Sequence, residues 1–253
     1  MAAVLARPRQ LSLTGKVRSG FRLACMAALL LVCVPLYYLS RLLHLPNPWP
    51  RIFLRGVTWI AGVELSYRGN RATGGVLLIA NHVSWIDIPA VAAATGSAFV
   101  GHDGLSSIPL IEWLCKMNDT VFVARHDRTS VAQQVEAVRA ALNHNGVLTI
   151  FPEGTTSDGT GLLPFKSSLL SAFEPLPAGI AVQPVLLDYG AEVADIAWIG
   201  DEHGLDNFLR ILARTQPVRL TIHYLPVLSG AALEHRKTIA AAARTAIAQA
   251  LAA

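Results

Sequence analysis

The chain has 253 residues, enough for one α/β domain with a complete hydrophobic core. Hydrophobic residues make up 53% of the sequence and charged residues 15%, with a mean hydropathy of +0.43. This composition is too apolar for an ordinary soluble enzyme and too weakly apolar for a protein with many membrane spans. It therefore indicates a globular domain attached to a membrane. The net charge of +4 suits an anionic surface, but no nucleic-acid-binding motif is present, so we expect no nucleic-acid partner.

The first 62 residues form a basic and apolar N-terminal segment. Five basic residues precede an uncharged run from Leu23 to Ser40. A signal peptide has a similar layout, but this run is longer than a usual signal core and no cleavage site follows it before Arg41. The run is at the lower length limit for a membrane-spanning helix, and we expect Pro35 to interrupt it.

A second N-terminal stretch, LPNPWPRIFLRGVTWIAGVEL (45–65), mixes arginines with tryptophans, a combination that suits the headgroup layer of a membrane. We therefore predict either a membrane-embedded helical hairpin or one short span followed by an interfacial helix. The alternative is that residues 51–62 are simply a helix of the protein core.

From residue 63 onward, short apolar runs alternate with longer amphipathic runs, which indicates an α/β fold with a mixed, largely parallel sheet flanked by helices. The predicted strands are 63–68, 76–80, 97–100, 120–124, 147–151, 180–187 and 217–224. The predicted helices are 84–95, 106–117, 128–144, 165–174, 204–214 and 231–252. No repeat or linker divides this region, so we predict one domain over residues 63–253.

The stretch IANHVSWIDIP (79–89) places His82 and Asp87 five positions apart, directly after an apolar strand. Within one helix, five positions turn two side chains about 140° apart, so the pair could not meet. We instead predict a helix with Ser84 as its N-cap and Asp87 at its third position, in the form of a capping box. From that position the Asp87 carboxylate reaches back toward the His82 ring.

A carboxylate beside an imidazole fixes the tautomer through one ring nitrogen, and the other nitrogen can then take a proton from a hydroxyl. The alternative is that Asp87 only caps the helix and His82 is an ordinary turn residue. The sequence has no serine nucleophile elbow, zinc-type cluster or P-loop. We therefore expect the substrate to bring the nucleophile, as in acyl transfer from a thioester to a hydroxyl.

A second distinctive stretch runs from Gly146 to Leu170, where an apolar strand ends in FPEG and a loop of glycines and small hydroxylated residues follows. Strand ends of α/β sheets feed ligand sites, and such a loop lets a substrate approach the backbone closely. Lys166 lies where a cation could meet an anionic headgroup. The alternatives are that Glu153 stabilises the turn and that Lys166 is a solvated surface charge.

Four blocks, occurring in order, resemble the glycerolipid and lysophospholipid acyltransferase family. They are NHVSWIDIP (81–89), TVFVAR (120–125), FPEGTTS (151–157) and AVQPV (181–185). The apolar N-terminal segment is a further similarity. The resemblance implies one acyltransferase domain over residues 63–253, preceded by a membrane-associated helical segment over residues 1–62.

The resemblance also implies a role for each matching residue. His82 would be the general base that deprotonates the acceptor hydroxyl, and Asp87 would orient it. The substrate-binding set would comprise Asn81, Ser84, Arg125, Glu153, Gly154, Thr155, Thr156, Lys166 and Pro184. The donor would be an acyl thioester of coenzyme A or acyl carrier protein, the acceptor a lysolipid from the bilayer, and no metal or organic cofactor would be required.

Two departures from the family pattern concern the headgroup. Members that act on lysophosphatidate usually carry arginine where this chain has Thr156, and often lysine where it offers His102. Each change removes a charged hydrogen bond to phosphate, worth about 1.5–3 kcal/mol. The form FPEGTTSDG (151–159) with LPFKSSL (163–169), followed by IAWIGDE (196–202), is more similar to the lyso-ornithine lipid O-acyltransferase branch, whose acceptor carries a carboxylate and an amine.

Two other functions are open on the sequence alone: a thioesterase or lipid hydrolase that uses water as acceptor, and a catalytically silent lipid-binding protein. The basic flank predicts a cytosolic N-terminus, and a thioester donor requires the active site on that side too. We therefore expect a re-entrant or interfacial hairpin at the bacterial inner membrane, with the catalytic domain on the cytoplasmic face.

Overall fold

The computed structural model describes residues 11–102, 109–123 and 131–253. Within these ranges the strands are β1 (Val63–Arg68), β2 (Val76–Ala80), β3 (Ala98–His102), β4 (Val121–Val123), β5 (Val147–Ile150), β6 (Ala181–Asp188) and β7 (Val218–Tyr224). The helices are α1 (Leu13–Leu42), α2 (Trp49–Ala61), α3 (Asp87–Thr95), α4 (Pro109–Met117), α5 (Val131–Asn145), α6 (Val193–Ile196), α7 (Gly204–Ala213) and α8 (Arg236–Leu251).

The strands form one sheet in the order β1-β7-β6-β2-β5-β3-β4. All neighbouring pairs are parallel except β6 and β7, which are antiparallel. Strand β2 is central and all five of its residues are buried, as expected for a strand with both sheet faces covered by helices. The predicted α/β fold with a mixed, largely parallel sheet is confirmed.

Most predicted element boundaries differ from the structure by one or two residues. The predicted starts of α4 and α5, at residues 106 and 128, lie outside the described residues, and three other helices differ more. Helix α3 begins at Asp87, three residues later than predicted. The segment predicted as a helix over 165–174 is a 3₁₀ helix, Ser167–Phe173. The C-terminal helix starts only at Arg236, after a separate 3₁₀ turn at Gly230–Leu233.

Helices α1 and α2 form an antiparallel hairpin. Near its middle, Leu29 of α1 occupies the space that a side chain at Gly56 of α2 would need. Near its tip, Trp49 donates a hydrogen bond from Nε1 to Ser40 Oγ at 2.9 Å. Helix α1 continues through Pro35, so the expected interruption is wrong. Proline removes one backbone hydrogen bond, and the turns on either side of Pro35 still form.

The hairpin contacts the catalytic domain along its length. At the start of α1, Arg18 and Arg22 donate to the last carbonyls of α7, Ala213 O at 2.9 Å and Leu212 O at 3.0 Å. These contacts satisfy backbone groups that a helix end leaves unpaired. Near the tip of the hairpin, Trp113 of α4 donates to the hydroxyl of Tyr38 at 2.9 Å.

Helix α2 packs one face on the domain, where Val57, Thr58 and Ala61 are buried, while Trp59 on its other face is 79% exposed. The alternative of a core helix over residues 51–62 therefore holds for one face of α2. Among the described residues, α1 is the one helix long and apolar enough to cross a bilayer.

Candidate active site

The strand register places the histidine block beside the FPEG block. Strands β2 and β5 are parallel neighbours, and Ile79 lies opposite Ile150. His82 and Glu153 each follow that pair by three residues, so the turns that carry them leave the sheet at the same edge. The site therefore forms at the carboxyl ends of the central parallel strands, where α/β folds place their ligands.

Asn81 anchors the start of the histidine turn to β6. Its Oδ1 accepts the Leu187 N–H at 2.7 Å, and its Nδ2 donates to the Leu187 carbonyl at 3.1 Å. The side chain is buried. Because both polar atoms of its amide bond to Leu187, the structure shows Asn81 as an anchor of the turn, and its predicted contact with substrate stays a prediction.

His82 and Asp87 form the predicted pair. His82 Nδ1 lies 2.8 Å from Asp87 Oδ2, and the same oxygen accepts the backbone N–H groups of Val83 at 2.7 Å and Ser84 at 3.0 Å. The Asp87 side chain is fully buried, whereas that of His82 is 17% exposed. The imidazole is thus the part of the pair that a substrate can reach.

The hydrogen bonds of Asp87 assign the tautomer of His82. An oxygen that already accepts two backbone N–H groups is an acceptor, so the hydrogen between the two side chains belongs to His82 Nδ1. In the neutral imidazole, Nε2 then carries the lone pair. A ring held in this way can take a proton at Nε2, while the carboxylate stabilises the imidazolium that forms.

Ser84 does not cap the helix, contrary to the prediction. Its hydroxyl donates to Asn207 Oδ1 of α7 at 3.1 Å, and residue 84 lies before the helix rather than at its N-cap. Half of the predicted capping box is present, because the Asp87 carboxylate does accept the Ser84 N–H. Ser84 is buried and bonded to Asn207, so it helps to fix the turn, and its predicted contact with substrate stays a prediction.

Glu153 ties the two motif turns together. Its Oε1 accepts the His82 N–H at 2.9 Å and its Oε2 accepts the Leu163 N–H at 3.0 Å. The residue is 1% exposed. Burial raises the pKa of Glu153, and the two backbone hydrogen bonds oppose that rise. The structure therefore supports the turn-stabilising alternative, and the contact of Glu153 with the headgroup stays a prediction.

The histidine turn is also fixed by two neighbouring segments. The His82 ring stacks on Phe151 with ring centroids 4.3 Å apart, and the His82 carbonyl accepts from Ser157 N at 2.8 Å and from its Oγ at 3.1 Å. The Val83 carbonyl accepts the Trp198 N–H at 2.9 Å. The carbonyls of His82 and Val83 both accept hydrogen bonds, and the His82 ring stacks on Phe151. The position of the imidazole is therefore set by the folded scaffold.

An open groove of about 410 Å³ adjoins this turn. Its lining residues are Thr156, Ser157, Asp158, Thr160, Gly161, Leu162, Leu163 and Ile199. Ser157 connects the groove to the His82 backbone, and Thr156 connects it to Trp198 by donating its hydroxyl to that residue's carbonyl. A lining that combines hydroxyls with leucine and isoleucine side chains suits an amphipathic ligand.

The structure describes four other predicted substrate-binding residues: Gly154, Thr155, Lys166 and Pro184. Gly154 adopts a left-handed conformation with φ of +68°, which favours glycine, and Thr155 is exposed beside it. Lys166 is exposed and its N–H donates to the Pro152 carbonyl at 2.8 Å. Pro184 is buried within β6, opposite Ile79, so it shapes the sheet instead of the site surface.

Two positions of the predicted headgroup site cannot be compared with the structure. Arg125 lies outside the described residues, and so does the side chain of His102. Sequence reasoning also missed Ser157, Trp198 and Asn207. Ser157 lies inside a quoted motif, but nothing in the sequence shows that Asn207 on α7 meets Ser84.

Residues 62–188 match the family model described as Acyltransferase. A lyso-ornithine lipid O-acyltransferase of Brucella abortus is 34% identical over 185 residues, which cover 69% of this chain and 68% of that relative. The chain belongs to the acyltransferase family. The predictions of the family and of an acyltransferase enzyme are confirmed.

Two further comparisons extend the similarity over most of the chain. A lyso-ornithine lipid O-acyltransferase of Rhodobacter capsulatus is 29% identical over 251 residues, covering 93% of this chain and 91% of that relative. The solved structure of the 1-acyl-sn-glycerophosphate acyltransferase from Thermotoga maritima has a TM-score of 0.58 at 19% identity, covering 80% of this chain and 77% of that one. The latter likeness shows a shared fold.

Replacing Glu153 with glutamine should destabilise the acyltransferase by about 1–3 kcal/mol, because one of the two backbone N–H donors would face an amide NH₂ group instead of an acceptor. Denaturant unfolding in detergent micelles measures this change. The matched control is Glu174→Gln, which neutralises a carboxylate that is 41% exposed and paired with Arg236. Equal stability of the two variants would contradict the bridging role of Glu153.

Proposed function

We propose that this enzyme is a membrane-bound O-acyltransferase that transfers a fatty acyl group from a coenzyme A or acyl carrier protein thioester to the free hydroxyl of a lysolipid. The observation that carries the proposal is the fully buried Asp87 carboxylate that holds the partly exposed His82 ring through Nδ1. This geometry leaves Nε2 for a substrate hydroxyl. Membership of the acyltransferase family supports the reaction class.

The proposed reaction uses the two substrates as nucleophile and electrophile. His82 Nε2 accepts the proton of the lysolipid hydroxyl as its oxygen attacks the thioester carbonyl carbon. The carbon–sulfur bond then breaks, the sulfur leaves with the bonding electrons, and the thiolate takes the proton back from Nε2. The products are an ester and a free thiol, and the histidine ends as it began. Asp87 stabilises the intermediate imidazolium without changing its own protonation.

We further propose lyso-ornithine lipid as the acceptor rather than lysophosphatidate. Of the described residues that line the groove, Asp158 is the one with a charged side chain, and it is exposed. A carboxylate attracts the ammonium group of an ornithine headgroup and repels a phosphate. Thr156 provides no positive charge beside it. The names of the relatives from Brucella abortus and Rhodobacter capsulatus support the same acceptor.

The hairpin supports an interfacial position on the cytoplasmic face. Helix α1 contacts α7 through Arg18 and α4 through Tyr38, and these residues are about 30 Å apart along the helix. That distance equals the hydrocarbon thickness of a bilayer. If α1 crossed the membrane, the catalytic domain that it contacts at both positions would have to cross too. We therefore propose that the hairpin lies in one leaflet.

Replacement of His82 with alanine should lower acyl transfer by about 10²–10⁴-fold, because the general base is lost while the fold is kept. The rate is measured with labelled acyl thioester and lysolipid, scoring both acylated lipid and free fatty acid. The control is His144→Ala, whose side chain is 72% exposed. Normal transfer by the His82 variant would rule out the mechanism, and release of fatty acid alone by the wild type would indicate a hydrolase.

The acceptor is tested by offering lyso-ornithine lipid and lysophosphatidate to the wild type and to Asp158→Asn. We expect the wild type to prefer lyso-ornithine lipid, and the variant to raise KM for it about two- to fivefold, as expected for one exposed ion pair. The control is Asp201→Asn, an exposed aspartate that does not line the groove. A wild-type preference for lysophosphatidate would contradict the proposal.

The membrane position is tested by single cysteines in a variant whose native cysteines are replaced by serine. Pro46→Cys labels the hairpin turn and Asp201→Cys labels the catalytic domain, and both positions are exposed. We expect an impermeant maleimide added outside right-side-out spheroplasts to modify neither, and to modify Asp201→Cys after lysis. External labelling at residue 46 would show that α1 crosses the bilayer.

A further inference from the structure

Tyr189 lies directly after β6, and its hydroxyl donates a short hydrogen bond to Asp87 Oδ1. The two residues are 102 positions apart in the sequence. They meet because β2 and β6 are parallel neighbours, with Ala80 opposite Val185, so the chain leaves both strands at the same edge. Tyr189 is 3% exposed and packs in the same core cluster as Val83 and Ile86 of the histidine turn.

In the described part of the chain, Asp87 has four hydrogen-bond donors, which divide between its two oxygens. Oδ2 accepts His82 Nδ1 and the backbone N–H groups of Val83 and Ser84, whereas Oδ1 accepts the hydroxyl of Tyr189. A carboxylate held at one oxygen only can rotate about its bond to Cβ. Contacts at both oxygens fix its plane, and hence the direction in which Oδ2 points toward His82.

The phenol is suited to act as a permanent donor. Burial, and after it the negative charge of Asp87, raise the pKa of Tyr189 well above its ordinary value. The hydroxyl therefore keeps its proton over the range in which enzymes work. It also compensates a buried charge, because an ionised carboxylate inside a protein is stable only when donors surround it.

We propose that Tyr189 is a positioning residue for acyl transfer, which holds the Asp87 carboxylate so that His82 Nδ1 is bonded in the orientation that catalysis needs. This role rests on the proposed general-base function of His82. Tyr189 itself touches neither the imidazole nor, being buried, the substrate. Its effect on the reaction is transmitted through Asp87.

The test is Tyr189→Phe in the full-length enzyme in detergent micelles or membranes. The substitution removes one oxygen and keeps the ring that fills the core, so the variant should fold. We expect kcat to fall about ten- to hundredfold, the effect of losing one hydrogen bond to a charged group, while KM for thioester and lysolipid stays within about twofold. An unchanged kcat, or a loss confined to KM, would overturn the proposal.

The matched control is Tyr224→Phe. Tyr224 is a buried tyrosine of the same core cluster, outside the histidine turn, and burial raises the pKa of its phenol too. Both variants lose a phenol hydroxyl from a tyrosine of the same core cluster, so a purely structural effect would lower the melting temperature and kcat alike in the two proteins. We expect only Tyr189→Phe to lower kcat.

A double-mutant cycle with Asp87→Asn separates this proposal from the general-base mechanism. If Tyr189 acts through Asp87, adding Tyr189→Phe to Asp87→Asn causes no further loss of the residual transfer, measured over long incubations with labelled donor. Additive losses would overturn the positioning role. Full activity of Asp87→Asn alone would instead overturn the proposed mechanism, whatever the result at Tyr189.

Discussion

The carboxylate of Asp87 is a negative charge inside the protein, and the site depends on the groups that make this burial stable. Its donors come from three sources: the His82 ring, the backbone of the turn and the hydroxyl of Tyr189. The first two belong to the turn between β2 and α3 and the third follows β6, so the carboxylate can be satisfied only when β2, α3 and β6 are assembled. The reactive imidazole is therefore correctly oriented only in the folded domain.

Much of the fold could be predicted because its signals are local. Short buried strands such as β2 and the long C-terminal helix follow from apolar runs and from helix-forming residues. The His82–Asp87 contact could also be predicted, since it depends on one turn between a strand and a helix. The predicted ends of helices were less accurate where a polar side chain had two possible partners. Ser84 is an example, because its hydroxyl bonds to Asn207 instead of capping α3.

The remaining parts of the site depend on contacts between distant segments, which a single sequence does not contain. Glu153 is in a recognisable motif, but only the register of β2 against β5 shows that its oxygens are used by backbone N–H groups. Tyr189 carries no motif at all. It could have been suspected only from its place at the end of a strand parallel to β2, and the strand order was unknown before the structure.

The hairpin begins on α7, and its second helix ends at Ala61, so that Gly62 alone separates it from the start of β1 at Val63. A chain that enters and leaves a leaflet on one side carries no folded domain through the lipid. If the hairpin lies in one leaflet as proposed, its insertion requires no translocation channel for the catalytic domain, and the energy of attachment comes from apolar side chains entering the leaflet. Synthesis in the cytosol followed by direct adsorption to the membrane would be sufficient to deliver this enzyme.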